Sequence, residues 1–292
     1  MTRFDHYRAL MRMDKPIGTW LLAWPTFWAL LIAGNGDPSV RLVAIFAAGV
    51  FLMRSAGCVI NDFADRKLDG HVARTKDRPL ASGKVTSSEA LILFAVLIIL
   101  AFMLVLTLNT LTILLSFVAA ALAIAYPFSK RVTHLPQFVL GAAFSMAIPM
   151  AFAAQTNSLP LICWILFVAN VLWTVAYDTE YAMVDRADDL KAGIKSTAIL
   201  FGQYDILVVG GLQAATIFLL GVVGWMIDAT WLFWLALITM AAFFVWQLWL
   251  IRDREPSACF LAFRQNHYAG MIVCIGLALH YWLPIPFGSA PM

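Results

Sequence analysis

The charges of this chain are confined to short blocks, separated by apolar runs of ~18–23 residues, about the length that crosses a bilayer as a helix. Breaks this irregular suit helices only, because unpaired backbone in lipid is too costly. Composition points the same way. Of 292 residues, 62% are hydrophobic and 13% charged, against roughly 25% charged in a soluble domain. The expectation is an all-α, polytopic membrane protein forming one integral domain over 1–292, with about nine transmembrane helices. They fall at 16–33, 41–60, 90–107, 110–128, 136–154, 159–178, 206–227, 229–251 and 268–286.

The basic residues orient these spans. With the N-terminus in the cytoplasm, eighteen of the twenty Lys and Arg lie in cytoplasmic segments; Arg41 is outside and Arg54 lies within a span. That bias fixes the expected topology, with the C-terminus on the outer side of the cell inner membrane. Basic residues in short loops between spans set topology and imply no nucleic-acid partner, and nothing in the sequence implies a protein partner. The cysteines, Cys58, Cys163, Cys259 and Cys274, form no CxxC pair. They read as packing residues rather than a disulfide or metal framework.

Two acidic clusters stand out, each directly after an apolar run on the cytoplasmic side. The first is Asn61-Asp62-Phe-Ala-Asp65-Arg-Lys-Leu-Asp69 and the second is Asp178-Thr-Glu-Tyr-Ala-Met-Val-Asp185-Arg-Ala-Asp188-Asp189. On a continuing helix Asn61, Asp65 and Asp69 share one face, with Asp62 beside them. Asp178, Tyr181, Asp185 and Asp189 likewise share a face, while Glu180 points away. A face of stacked aspartates repels itself without a cation, and oxygen ligands lacking nearby His or Cys select Mg²⁺ over zinc. Because Mg²⁺ binds through few carboxylates plus substrate phosphates, the expected ligand is a phosphate or diphosphate. A solvated acidic loop would explain one such cluster; two of matching placement argue for a site.

Basic side chains surround the clusters. Arg78, Lys130, Arg131 and Lys195 lie on the same side, with Tyr126 at the end of the fourth span. Arg54 is two turns deeper than Asn61, inside an apolar span, where an arginine costs ~2.5–3.5 kcal/mol to insert and needs a cavity and a partner. The expected partner is Asp62 or Asp65, or else a substrate carboxylate bound bidentately. The run Asp69-Gly-His-Val-Ala-Arg74 and Gly83 match the first half of the CDP-alcohol phosphotransferase signature. Ser87 and Leu91 stand where that signature needs its aspartates, so the match fails.

Taken together, NDFADRKLD (61–69), Arg78-Pro-Leu-Ala-Ser-Gly83, YPFSK (126–130) and DTEYAMVDRADD (178–189) resemble the UbiA superfamily of intramembrane prenyltransferases. Matches run from Met11 to about Tyr204. Arg54–Asp62, Thr133–Gln137 and Gly193–Thr197 are similar to the branch that prenylates 4-hydroxybenzoate in ubiquinone synthesis. The resemblance implies a helical bundle around a central cavity open to lipid. It implies that Asn61, Asp65, Asp69, Asp185 and Asp189 hold Mg²⁺ bridged by a polyprenyl diphosphate, with Asp65, Asp69, Asp185 and Asp189 catalytic. Asp62, Tyr126, Asp178 and Tyr181 would be supporting residues. Arg78, Lys130 and Lys195 would meet the diphosphate, and Arg54 or Arg131 the carboxylate of 4-hydroxybenzoate. Another aromatic acceptor is the alternative within the superfamily. A secondary transporter of an anionic solute is the alternative from another class, but transporter sites usually lie near the bilayer midplane on interrupted helices. These carboxylates lie at cytoplasmic helix ends.

Overall fold

A computed structural model describes residues 2–66, 75 and 77–283. Among the described residues there are helices and turns but no strand. A short polar helix, α1 (Arg3–Leu10), precedes the apolar helices α2 (Ile17–Ala33), α3 (Val40–Asp65), α4 (Ser87–Val105) and α5 (Thr110–Val132). Then come α6 (Pro136–Ser145), α7 (Ala147–Thr156), α8 (Leu161–Ala192), α9 (Thr197–Phe201), α10 (Asp205–Met226), α11 (Trp231–Leu250) and α12 (Pro256–Trp282).

Every expected span falls on a helix, but the count of nine crossings is not reproduced by length and apolarity alone. Seven helical units, with α6–α7 and α9–α10 each counted as one, are long and apolar enough to cross a membrane. The 17-residue α2 is shorter. The 27-residue α12 contains the mixed stretch Arg264-Gln265-Asn266-His267. Two boundaries also differ from expectation. α8 does not stop near residue 178 but runs unbroken to Ala192, so the whole second acidic cluster is helical. The fifth span bends at Met146. Pro149 explains the bend, because its ring crowds the carbonyl four residues back at Ser145 and supplies no N–H to it.

Local chemistry sets the helix ends. Thr86 and Glu89 form a reciprocal capping box at the start of α4. Asn109 caps α5 through a 2.9 Å bond from the Thr112 N–H. α8 ends on Gly193, whose φ of +68° is a left-handed conformation that favours glycine.

The main apolar core joins α2, α7, α8, α10, α11 and α12. There Trp28 and Trp173 stack with ring centroids 5.4 Å apart, and both are fully buried. Gly270 lets the indoles in: a Cβ there would strike the rings of Trp173 and Trp24, and the Trp28 Nε1–H donates to its carbonyl at 3.0 Å. On the opposite side α4 and α5 present rows of exposed apolar residues, among them Ile92, Ile99, Met103, Leu114 and Phe117. In water such a face would be a liability; facing acyl chains it is the ordinary surface of a membrane helix. The four cysteines are free, three of them buried, in keeping with packing residues.

Candidate active site

The two acidic helices carry stripes of identical spacing. On α3 the half-buried residues include Arg54, Gly57, Asn61 and Asp65, while Ser55, Ala56, Cys58, Val59, Asp62 and Ala64 are buried. On α8, Asp178, Tyr181, Asp185 and Asp189 are half-buried, whereas Thr179, Glu180, Ala182 and Met183 are buried. Both half-buried series run i, i+3, i+7, i+11, which is one face of a helix.

The C-terminal end of α5 joins them. Lys130 Nζ donates to Asn61 Oδ1 at 3.2 Å and to Asp65 Oδ2 at 3.3 Å, and it sits 5.4 Å from the Tyr126 ring centroid. The same ammonium is within electrostatic reach of Asp178. Asp178 in turn lies in the fields of Lys130, Arg54 and Asp185. Arg54, Asn61, Asp65, Tyr126, Lys130, Asp178 and Tyr181 therefore belong to one constellation, with Tyr177 also close to Arg54. Asp185 and Asp189 continue the α8 stripe toward its C-terminal end. Asp69, Lys67, Arg74 and Lys76 lie outside the described residues.

For Arg54 the substrate carboxylate is the expected partner that stays open. It pairs with neither Asp62 nor Asp65, and among the described residues it has no hydrogen-bond or ion-pair partner. Its guanidinium lies against Gly18 of α2, in the space that a side chain at position 18 would fill, and 5.9 Å from the Phe144 ring centroid. Asp62 is turned the other way. It is 2% exposed, and Arg12 Nη2 reaches both its carboxylate oxygens at 2.9 Å while Arg78 Nη1 donates at 3.1 Å. Asp62 thus leaves the face shared by Asn61 and Asp65, because two guanidiniums hold it behind that face.

The remaining cations are partly engaged with backbone. Arg131 is exposed and donates to the Ala64 carbonyl at 2.7 Å, tying the end of α5 to the end of α3. Lys195 Nζ donates to the Val132 carbonyl at 3.1 Å, and its own N–H bonds the Lys130 carbonyl. These bonds hold Lys130 in place from both sides. Arg12 is the functional neighbour that the sequence reading missed. It had counted only as a topology determinant, since a pairing across fifty residues leaves no local signature.

Among the described residues no three His, Cys, Asp or Glu side chains converge closely enough to hold a metal ion by themselves. The donor set still suits Mg²⁺. Its members are oxygens from two facing helices, in a site without His or Cys ligands, and a hard cation completed by substrate oxygens needs no all-protein cage.

Sequence comparison decides the family. The profile described as the UbiA prenyltransferase family matches residues 22–279. This chain belongs to that family. It is 59% identical over 276 residues to the 4-hydroxybenzoate octaprenyltransferases of Salmonella paratyphi B and Salmonella newport, covering 94% of this chain and 95% of those proteins. Among solved structures it is similar to the apo UbiA homolog from Aeropyrum pernix K1, with a TM-score of 0.79 and 24% identity over 89% of this chain and 96% of that one. It is also similar to a UbiA homolog from Archaeoglobus fulgidus bound to GPP and Mg²⁺, with a TM-score of 0.68 and 16% identity. That match covers 92% of this chain and 99% of the other. At such identities the structural likeness concerns the fold, and the UbiA fold is the one described above.

Proposed function

We propose that this chain transfers a polyprenyl group from a polyprenyl diphosphate to 4-hydroxybenzoate, giving 3-polyprenyl-4-hydroxybenzoate and diphosphate in ubiquinone biosynthesis. The observation that carries the reading is Arg54, a guanidinium beside the acidic stripes, flanked by aromatic rings and without a hydrogen-bond or ion-pair partner among the described residues. A buried cation of this kind needs an anion, and an aromatic carboxylate supplies both the charge and a ring for the surrounding tyrosines. The Salmonella relatives act on that acceptor by name, which supports the same choice. Arg131, exposed and bonded to backbone, is the weaker of the two candidates for that carboxylate.

The donor's diphosphate would lie between the stripes. Asn61, Asp65, Asp69, Asp185 and Asp189 would hold Mg²⁺, which neutralises phosphate charge and so eases departure of the diphosphate. Lys130 already spans Asn61 and Asp65 and adds a fixed positive charge where leaving-group charge develops, an effect often worth several kcal/mol. Arg78 and Lys195 border the same end. As the allylic C1–O bond breaks, its electron pair leaves with the diphosphate, and the tyrosine faces support the carbocation-like C1. The ring carbon next to the phenol hydroxyl attacks C1. Its proton passes to a carboxylate or to the released diphosphate. Apolar helices around the site keep water from the cation.

The same reading gives the topology: nine crossings in the cell inner membrane, the N-terminus and acidic clusters cytoplasmic, the C-terminus outside. Prenyl transfer in purified membranes tests it, using labelled 4-hydroxybenzoate and a polyprenyl diphosphate with Mg²⁺ or EDTA. A lipid-soluble product that needs Mg²⁺ is expected. Folded protein that gives no product would sink the assignment.

A further inference from the structure

Glu180 is fully buried in the middle of α8, yet among the described residues it has no ion-pair partner. Its neighbours are amides and an indole. Asn266 Nδ2 donates to Glu180 Oε2 at 2.8 Å, and Gln213 Nε2 donates to Glu180 Oε1 at 3.3 Å. Behind them, Trp173 Nε1 donates to Asn266 Oδ1 at 2.9 Å and Gln213 Nε2 to Gln247 Oε1 at 3.1 Å. Gln247 Nε2 donates to the Ala262 carbonyl at 3.1 Å. These residues tie α8 to α10, α11 and α12, and all are buried.

Two features make this more than core filling. An ionised carboxylate so placed would be a buried charge with no counter-ion, which is costly enough that such groups neutralise instead. A neutral carboxyl needs an acceptor for its proton, and the amide that meets Glu180 carries one: Gln213 Oε1 is buried and has no hydrogen-bond partner among the described residues. Position supplies the second feature. At roughly 100° per residue, Asp178, Asp185 and Asp189 lie about 140–180° around α8 from Glu180. The network grips the side of the helix opposite the acidic stripe.

From this geometry we infer that Glu180 is a positioning residue, uncharged in its amide network, which fixes the rotation of α8 and thereby aims Asp178, Asp185 and Asp189 into the site. The inference rests on the prenyltransferase reading and extends it to a residue that touches no substrate. Hydrogen bonds are directional, so those that meet Glu180 at one height resist rotation of the helix about its axis.

The test compares Glu180→Gln, Glu180→Ala and Gln213→Leu with the parent protein, each shown to be monodisperse in detergent. Glu180→Gln keeps the shape without the proton, and wild-type kinetics are expected. Glu180→Ala should raise the half-saturating Mg²⁺ concentration and the donor KM about 10–100-fold, as loss of an outer-shell partner does at metal sites, and move the acceptor KM less. Wild-type Mg²⁺ and donor dependence in folded Glu180→Ala overturns the inference. So does Glu180→Gln behaving as badly as Glu180→Ala, because a charge would then be what matters. Should Glu180→Ala fail to fold, Gln213→Leu decides on the same readout. Infrared spectra should contain a carboxylic-acid C=O band that Glu180→Gln removes; an unchanged band overturns the uncharged assignment. Calorimetric binding of geranyl diphosphate with Mg²⁺ runs alongside. If the parent protein binds this donor but prenylates no 4-hydroxybenzoate, the acceptor reading fails, while the effect of Glu180→Ala on donor affinity still decides the inference about α8.

Discussion

The two acidic clusters look alike in sequence but are held in different ways. The first stands at the end of α3, and its polar groups are fixed by cations from elsewhere: Lys130 on Asn61 and Asp65, Arg12 and Arg78 on Asp62. The second lies inside an unbroken 32-residue helix, and it is aimed by what that helix does on its other side. The first cluster is pinned by charge, and the second is carried on one continuous helix. Substitution of Arg12, which reaches only Asp62 among the acidic residues, should therefore disturb the first cluster.

The largest expected effects fall on both sides equally. Asp65→Ala and Asp185→Ala should each lower prenyl transfer by about 10²–10³-fold or more, the scale for losing preorganised electrostatic stabilisation. Labelled-acceptor assays check this, and activity retained in either variant would mean that the clusters do not act as one site. Next comes the acceptor pocket. Arg54→Ala should weaken 4-hydroxybenzoate by about 2–5 kcal/mol, as for a truncated buried charge pair, and leave the donor KM nearly unchanged. Gly18→Ala should produce part of the same defect without touching Arg54, since its methyl would displace the guanidinium. Saturation curves for the two substrates separate these outcomes.

Smaller effects sharpen the contrast itself. Arg12→Ala removes charge-assisted bonds to buried Asp62 and should cost about 1.5–3 kcal/mol of stability. Arg78 and partial solvent exposure at Arg12 keep the loss toward the lower end. Thermal unfolding in detergent measures it, and the Asp185 side of the site should be untouched, as reported by Mg²⁺-dependent donor binding. Smallest, Gly193→Ala strains the left-handed end of α8 and should cost about 1 kcal/mol by the same measurement. A larger loss there would show that the second cluster depends on its helix terminus more than on helix continuity.

Much of this was legible in the chain. Apolar length gave helices at every expected position, and helical spacing put Asn61 with Asp65 and Asp178 with Tyr181, Asp185 and Asp189. Both follow from periodicity, which is local. What stayed hidden was pairing at a distance. Asp62 beside Asn61 gave no sign that Arg12 and Arg78 would hold it away from the stripe. Arg54 was matched with nearby aspartates because they were its neighbours in sequence, whereas its closest surroundings come from α2 and α6. That Glu180 points away from the stripe could be read; that amides from two other helices meet it could not. The bend at Met146 was recoverable in principle from Pro149, but inside a long apolar run its signal was weak.

The double grip on Asp62 also bears on how the protein is made. Arg12 leaves the ribosome fifty residues before Asp62, and Arg78 sixteen after it. The carboxylate can gain both guanidiniums only after the loop that carries Arg78 has been synthesised. Until then it has at most Arg12 to pair with. Closure of this three-residue knot thus marks the moment in biogenesis when the N-terminal segment, the first hairpin and the loop ahead of α4 become one unit. A chain that lacks its first twelve residues would pass that point without its first clasp.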